Sequence, residues 1–203
     1  MWNATSLWIL LSIAGFGLLH TLLADMRVKD WVASRLGRPV MRLYRLGYNL
    51  FSVLSLAPAL ALAAWLPDVP LYTIPTPWVV LTASAQVLAA AALAAGVLQT
   101  GALAFAGIRQ LFDPTAPEEG RLVTRGVYRW VRHPLYSAGM VFMWCSPVMT
   151  RNLFLLYLGF SLYFLIGAWF EERKLLKLFG PDYAAYRQRT PMFIPGLRRS
   201  PSA

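Results

Sequence analysis

Five apolar stretches follow one another along the chain, at about 2–24, 46–66, 78–108, 134–149 and 153–170, separated by segments rich in charge, proline or glycine. A helix needs about 20 apolar residues in succession to cross the hydrocarbon of a bilayer, so the pattern predicts about five membrane-spanning helices. After the first stretch, Val28, Trp31, Val32 and Leu36 recur at helical spacing beside basic residues, which predicts an amphipathic helix within 26–45 lying in the membrane interface. Gly37, Arg38 and Pro39 break it. Pro67, Pro70, Pro75 and Pro77 keep the next connection extended. The third stretch opens at Trp78 and is dense in small residues from Ala83 to Ala95, then Gly96, Gly101 and Gly107, a composition that lets helices approach closely. Pro147 and the Arg151-Asn152 pair make a tight turn that joins the last two stretches as a hairpin. The final helix is expected to run on to Phe179-Gly180, where glycine supplies the stop.

Composition supports the membrane reading. Of 203 residues, 58% are hydrophobic and only 14% charged, against roughly 25% charged in soluble domains. That excludes a disordered chain and argues against an ordinary soluble domain. The net charge of +10 raises nucleic acid as a partner, but the placement of the charge answers it. Six basic residues fall in 25–45 (Arg27, Lys29, Arg35, Arg38, Arg42, Arg45), five in 109–133 (Arg109, Arg121, Arg125, Arg129, Arg132) and seven from 171 onward. The alternate segments hold Arg151 alone, so 18 of the 19 basic residues obey the positive-inside rule. The expected fold class is therefore all-α: a polytopic transmembrane bundle of about five spans, N-terminus outside, C-terminus cytoplasmic. The bilayer is its expected partner, and nucleic acid is not. Met1 to Leu7 carry no basic residue, so the first stretch reads as an anchor rather than a cleaved signal peptide. Cys145 is the single cysteine and there are two histidines, which makes neither an internal disulfide nor a structural metal site expected. The excess of arginine over lysine, with abundant alanine and leucine, points to a bacterial source and hence an inner-membrane location.

The chain reads as one membrane domain over 1–203, with three helices and the interfacial segment in 1–108 and a different character in 109–203. From Asp113 to Arg132 it is polar, carries Pro114, Pro117 and Gly120, and is too long for a simple turn; such loops in compact proteins are commonly functional. Pro134 then opens an apolar helix at the position where proline suits best, leaving unpaired N–H groups behind it. His20, Arg132, His133, Glu171 and Glu172 all fall within about two turns of the cytoplasmic boundary. Ionisable groups so placed default to a functional hypothesis. The plain alternative is an ion pair from Arg132 to Glu171 or Glu172 that pins two helices. Tyr183 and Tyr186, three apart, read as an interfacial aromatic anchor.

Residues Gly120 to Tyr136 read GRLVTRGVYRWVRHPLY, followed by Gly139, Glu171-Glu172, Phe179-Gly180, Tyr183, Tyr186 and Pro191. This combination resembles the integral-membrane methyltransferases typified by isoprenylcysteine carboxyl methyltransferase, with phospholipid N-methyltransferases as more distant relatives. The resemblance covers about 107–195 and makes 109–203 the methyltransferase core. It implies a cytoplasmic-face site for S-adenosylmethionine, with Gln110, Gly120, Arg121, Leu122, Val123, Tyr128, His133, Pro134, Leu135, Tyr136 and Glu171 as cofactor contacts. Glu171 suits the cofactor's ammonium, the N–H groups after Pro134 its carboxylate, and Tyr128 and Tyr136 a cation or an adenine. Arg132, Glu172 and His20 are the candidate catalytic residues, with Arg132 or His20 favouring a thiolate form of the acceptor; no metal is required. In the prenylcysteine enzymes an arginine one turn before the glutamate is thought to hold the acceptor, and that position is Gly167 here. Details such as GIRQ at 107–110 and TPMFIP at 190–195 are more similar to the bacterial methanethiol S-methyltransferase branch. A small thiol is thus the favoured acceptor, ahead of a prenylcysteine carboxylate or a lipid amine, in an apolar pocket expected from Phe142, Trp144, Trp169 and Phe170. The competing classes are a haem protein ligated by His20 and His133 and a non-catalytic membrane scaffold.

Overall fold

The computed structural model describes residues 4–113 and 121–197. Its elements are α1 (Ala4–Ala24), α2 (Met26–Trp65), β1 (Pro70–Thr73), α3 (Trp78–Thr100), α4 (Ala102–Ala106), α5 (Arg109–Phe112), a 3-10 turn (Gly126–Arg129), α6 (Pro134–Trp144), β2 (Val148–Thr150) and α7 (Arg151–Arg189). Apart from the paired strands β1 and β2, the regular structure is helical, as the apolar pattern predicts. Among the described residues four segments are long and apolar enough to cross a membrane: Ser6–Ala24, Pro39–Trp65, Trp78–Thr100 and Arg151–Arg189. They leave Leu18, Leu54, Leu88 and Ile166 exposed. In water such a surface would be an aggregation liability, whereas lipid tails are as apolar as these side chains.

Contacts divide the chain into two compact units, each assembled from separate stretches of sequence. The first comprises Met1–Tyr72, Ala102–Gly120 and Met149–Tyr163. Its core joins Ile9 and Ile13 of α1, Ala59 and Ala63 of α2, and Leu155 and Leu156 of α7. Gly159 lets α7 meet α1 closely, because a Cβ there would stand 2.8 Å from Ile13 Cδ1. Asp25 caps α2, its carboxylate accepting from Arg27 N at 2.7 Å. Within α2 the amphipathic segment and the second span are two helical stretches separated at Gly37 (φ 77, ψ 176), the break that the sequence predicts, and the span runs Pro39–Trp65. The end of α2 is tied to the start of α7 by Asn152, 0% exposed, whose amide donates to Leu66 O at 3.2 Å. Asp68 accepts from Val69 N at 2.8 Å and Asn152 N at 3.0 Å. These bonds hold its carboxyl below the usual range against the opposing effect of its partial burial.

The second unit comprises Thr73–Gly101, Arg121–Val148 and Phe164–Ala203. The expected third span stops at Thr100 instead of 108, because Gly101 turns out of the helix at φ 90. The fourth expected span differs more. Helix α6 has 11 residues, about 16 Å at 1.5 Å per residue, which is half a bilayer core. It runs antiparallel to α3: Leu135 lies against Gly96, and Gln86 donates to Phe142 O at 3.0 Å. The chain then turns at Cys145 and Ser146, whose N–H groups bond Val141 O at 3.0 Å and Met143 O at 3.1 Å, and Pro147 O accepts from Ile74 N at 2.8 Å, just ahead of α3. This segment is not among the four long enough to cross a membrane. Within α7 the membrane helix stops at Gly180 (φ 50, ψ −125), as the sequence predicts, and a further helical stretch that the sequence reading did not foresee follows from Pro181 to Arg189.

Candidate active site

Pro134 occupies the first turn of α6, where its missing N–H is not needed, and no side chain caps that helix start. A proline also bars its predecessor from the helical region, so His133 sits on open backbone at φ −119, ψ 63. The backbone N–H groups of Arg132 and His133 are consequently available sideways. They donate to Pro191 O at 2.9 Å and Met192 O at 3.1 Å. Ser137 Oγ adds a bond to Phe193 O at 2.8 Å, so the segment after α7 straps the head of α6.

Across from this head, α7 presents Glu171 and Glu172. Successive helical residues point about 100° apart, and the two carboxylates accordingly meet different surroundings. Glu172, 9% exposed, accepts from Arg132 Nε at 2.7 Å and Nη2 at 3.0 Å, the bidentate geometry of a strong guanidinium–carboxylate pair. His133 Nε2 at 2.9 Å and the Tyr183 hydroxyl at 2.6 Å complete its shell. Arg132 is equally committed, because its Nη1 donates to Thr190 O at 2.5 Å and Arg187 O at 3.1 Å. Tyr186 donates to Tyr128 O at 2.6 Å and fixes the 3-10 turn to the same cluster. This is a saturated clamp with no valence left for a reacting molecule on Glu172.

Glu171 is different. Its side chain is 42% exposed; Oε2 accepts from the Tyr136 hydroxyl at 2.9 Å and stands 3.6 Å from His133 Nδ1. Beside it three rings stack in series: His133 on Tyr136 at 5.5 Å and 6°, Tyr136 on Phe164 at 5.1 Å and 15°. Burial pulls the His133 imidazole towards its neutral form, but hydrogen bonds and charge from Glu171 and Glu172 outweigh it and raise the pKa. Burial, reinforced by the Glu171 charge, pushes the Tyr128 phenol up to about 12. The arrangement offers one half-exposed carboxylate beside a stack of aromatic rings and backed by a rigid clamp, chemistry that suits a cation.

Of the residues singled out in the sequence, Tyr128, Arg132, His133, Pro134, Leu135, Tyr136, Glu171 and Glu172 share this second unit, as do Arg121, Leu122 and Val123. Leu135 faces α3, where a Cβ at Gly96 would stand 2.7 Å from its Cδ2. Arg121 is exposed, with Leu122 and Val123 half-buried, and Gly120 lies outside the described residues. His20 and Gln110 belong to the first unit. His20 is hydrogen-bonded to the Tyr48 hydroxyl and ringed by Phe16 and Tyr163. Gln110 is 4% exposed and neither its amide nitrogen nor its oxygen has a protein partner. A buried amide left so is the mark of a group made for a ligand or water.

Three expectations are corrected. Tyr183 and Tyr186 are not an interfacial anchor: they are 1% and 3% exposed, with hydroxyls turned inward. No pocket forms from Phe142, Trp144, Trp169 and Phe170, which all face outward, Trp169 beneath the Arg173 guanidinium at 3.4 Å. Haem ligation by His133 does not fit, because both ring nitrogens face carboxylates, at 3.6 Å and 2.9 Å, and neither is open to iron. The residues that sequence reasoning missed, Ser137, Arg187, Thr190 and Phe193, carry no local signal; only the return of the tail reveals them.

A family profile described as phospholipid methyltransferase matches residues 84–182. Methanethiol S-methyltransferase 1 of Bradyrhizobium diazoefficiens is 32% identical over 200 residues, covering 93% of this chain and 66% of that protein. Methanethiol S-methyltransferase of Pseudomonas deceptionensis is 35% identical over 100 residues, 48% of this chain and 38% of the relative. The human protein-S-isoprenylcysteine O-methyltransferase is 32% identical over 89 residues, 38% of this chain and 28% of the relative. The chain thus spans less than two thirds of the length of these curated relatives. No solved structure matches it.

Proposed function

Because the chain belongs to the isoprenylcysteine carboxyl methyltransferase-like family of integral-membrane methyltransferases, we propose that it transfers a methyl group from S-adenosylmethionine to a small lipophilic acceptor, with a thiol as the favoured class. The observation that carries the reading is the contrast between the two glutamates: Glu172 is consumed by structure, while Glu171 is held by Tyr136 with 42% of its side chain open. The cofactor's ammonium is the cation such a carboxylate would take. The uncapped head of α6 suits its carboxylate and Tyr128 its sulfonium or adenine, whereas Tyr136, stacked between His133 and Phe164, contributes its hydroxyl to Glu171 rather than a ring face.

The cofactor supplies a methyl group on a sulfonium, displaced in line, so the protein needs alignment and dryness more than a nucleophile of its own. Arg132 and Glu172 are assigned to positioning: they fix the head of α6 and the bend of α7 around Glu171. The acceptor reading rests on Gly167, one turn before Glu171, which brings no cation for a substrate carboxylate; a Cβ there would meet the Tyr136 hydroxyl at 3.9 Å. Relatives named for methanethiol point the same way. A bacterial inner membrane with the site facing the cytoplasm accords with the basic residues on alternate connections. Calorimetric titration of the detergent-purified protein with S-adenosylmethionine tests the proposal. Saturable binding is expected in the wild type and its loss in Glu171→Gln with unchanged thermal unfolding; undiminished binding in that variant would overturn the site.

A further inference from the structure

We propose that His133 is a doubly protonated bridge between the two glutamates of α7, a positioning residue that aims the Glu171 carboxylate at a cationic ligand. The ligand half of this rests on the cofactor reading above. A neutral imidazole has one N–H and one lone pair, whereas an imidazolium has two N–H groups. His133 Nε2 lies 2.9 Å from Glu172 Oε1 and Nδ1 lies 3.6 Å from Glu171 Oε2. A neutral ring that donates to one carboxylate turns its lone pair on the other. The ring cannot turn away, being 3% exposed, stacked on Tyr136 and covered by Phe193 at 5.8 Å.

The neighbouring charges assign the proton. From the strand before α6, Arg132 neutralises Glu172. From α7, Arg187 Nε approaches Glu172 Oε2 at 3.7 Å, and Lys174 acts on Glu171 by charge. From α6 and the kinked end of α7, the Tyr136 and Tyr183 hydroxyls each donate to one carboxylate. Glu172 thus has its own cation, and the charge on His133 is left for Glu171. Oε2 takes the Tyr136 hydroxyl at 2.9 Å and the longer His133 contact at 3.6 Å, while the Glu171 side chain stays 42% exposed. Deprotonation of His133 keeps the 2.9 Å bond to Glu172 and gives up the longer contact, so the aim of Glu171 is lost.

The test combines two readouts on the full chain in detergent. Nitrogen NMR of the ring signals follows both histidines, assigned with a His20→Gln variant. The expected result is a His133 ring protonated on both nitrogens at neutral pH; a neutral ring there overturns the bridge, with no cofactor involved. Calorimetry with S-adenosylmethionine is then run across pH for the wild type, His133→Gln and Tyr136→Phe. His133→Gln keeps a donor for Glu172 and should bind about tenfold more weakly, the size of one charge-assisted hydrogen bond. Its affinity should follow only the titration of the ligand's own amine, while the wild type loses affinity more steeply as pH rises through the His133 titration. Tyr136→Phe should weaken binding yet retain the wild-type pH profile. A His133→Gln variant with wild-type affinity and profile overturns the positioning role. Absence of binding in the wild type would overturn the cofactor reading instead and leave the NMR result to decide the bridge.

Discussion

Replacing Glu172 by Gln tests the clamp most directly. Arg132 and Glu172 are only 10% and 9% exposed, so solvent screens their pair little. Removing one partner of a buried pair costs about 3–5 kcal/mol, because the other charge is left without compensation. Glutamine keeps one carbonyl oxygen for the donors of Tyr183 and His133, which places the expected loss near the lower end, about 3 kcal/mol. For a chain of this size that corresponds to a fall of about 6–12 °C in Tm. Arg132→Met should cost a similar amount, since it strands Glu172 and frees Thr190 O and Arg187 O. The double variant, facing a neutral amide with an apolar chain, should lose far less than the sum, with a coupling of about 2 kcal/mol. Thermal unfolding of all four proteins in one detergent, followed by circular dichroism, completes the cycle. A Glu172→Gln loss below about 1 kcal/mol, or additivity within about 0.5 kcal/mol, would refute the clamp.

Gly96→Val should destabilise the second unit by about 1–3 kcal/mol, since even a Cβ would press on Leu135 Cδ2 at 2.7 Å; an unchanged Tm would show that α3 and α6 do not pack there. Asn152→Ala uncaps Ala63 O and Leu66 O in a fully buried place and should lower stability by about 1–3 kcal/mol, measurable in the same unfolding assay. Stability should also vary with pH through His133. Its folded pKa is raised above the reference of 6.5, so its contribution is complete below 6.5 and is lost as pH rises through the folded value. The folded state binds the extra proton in that window, and His133→Gln should flatten the slope of Tm against pH there.

Much of the site was legible because charge is conspicuous in an apolar chain. Arg132, His133, Glu171 and Glu172 stand out at one end of their helices, and Pro134 announces a helix start. Which glutamate serves structure was not legible. The two are adjacent in sequence, and their rotation about α7 acquires meaning only from what faces each one. Tyr183 and Tyr186 were misread for a related reason: amphipathic aromatics near a helix end suit a membrane interface and a buried cluster equally well. Gly180-Pro181 reads locally as a stop and is one; what was not legible is the second helical stretch after it, fixed by the bonds from Tyr183 to Glu172 and from Tyr186 to Tyr128 O.

By itself the sequence determined that this is an all-helical membrane chain, where its helices begin, and which short list of polar residues must matter, because apolar length, proline and isolated charge act locally or through the solvent. The tertiary structure alone decided the pairing within that list, the short length of α6 and the turn that ends it, and the tail that straps Arg132 and His133. Those outcomes depend on partners dozens of residues away, and a hydrogen bond at 2.7 Å between residues 132 and 172 has no local trace.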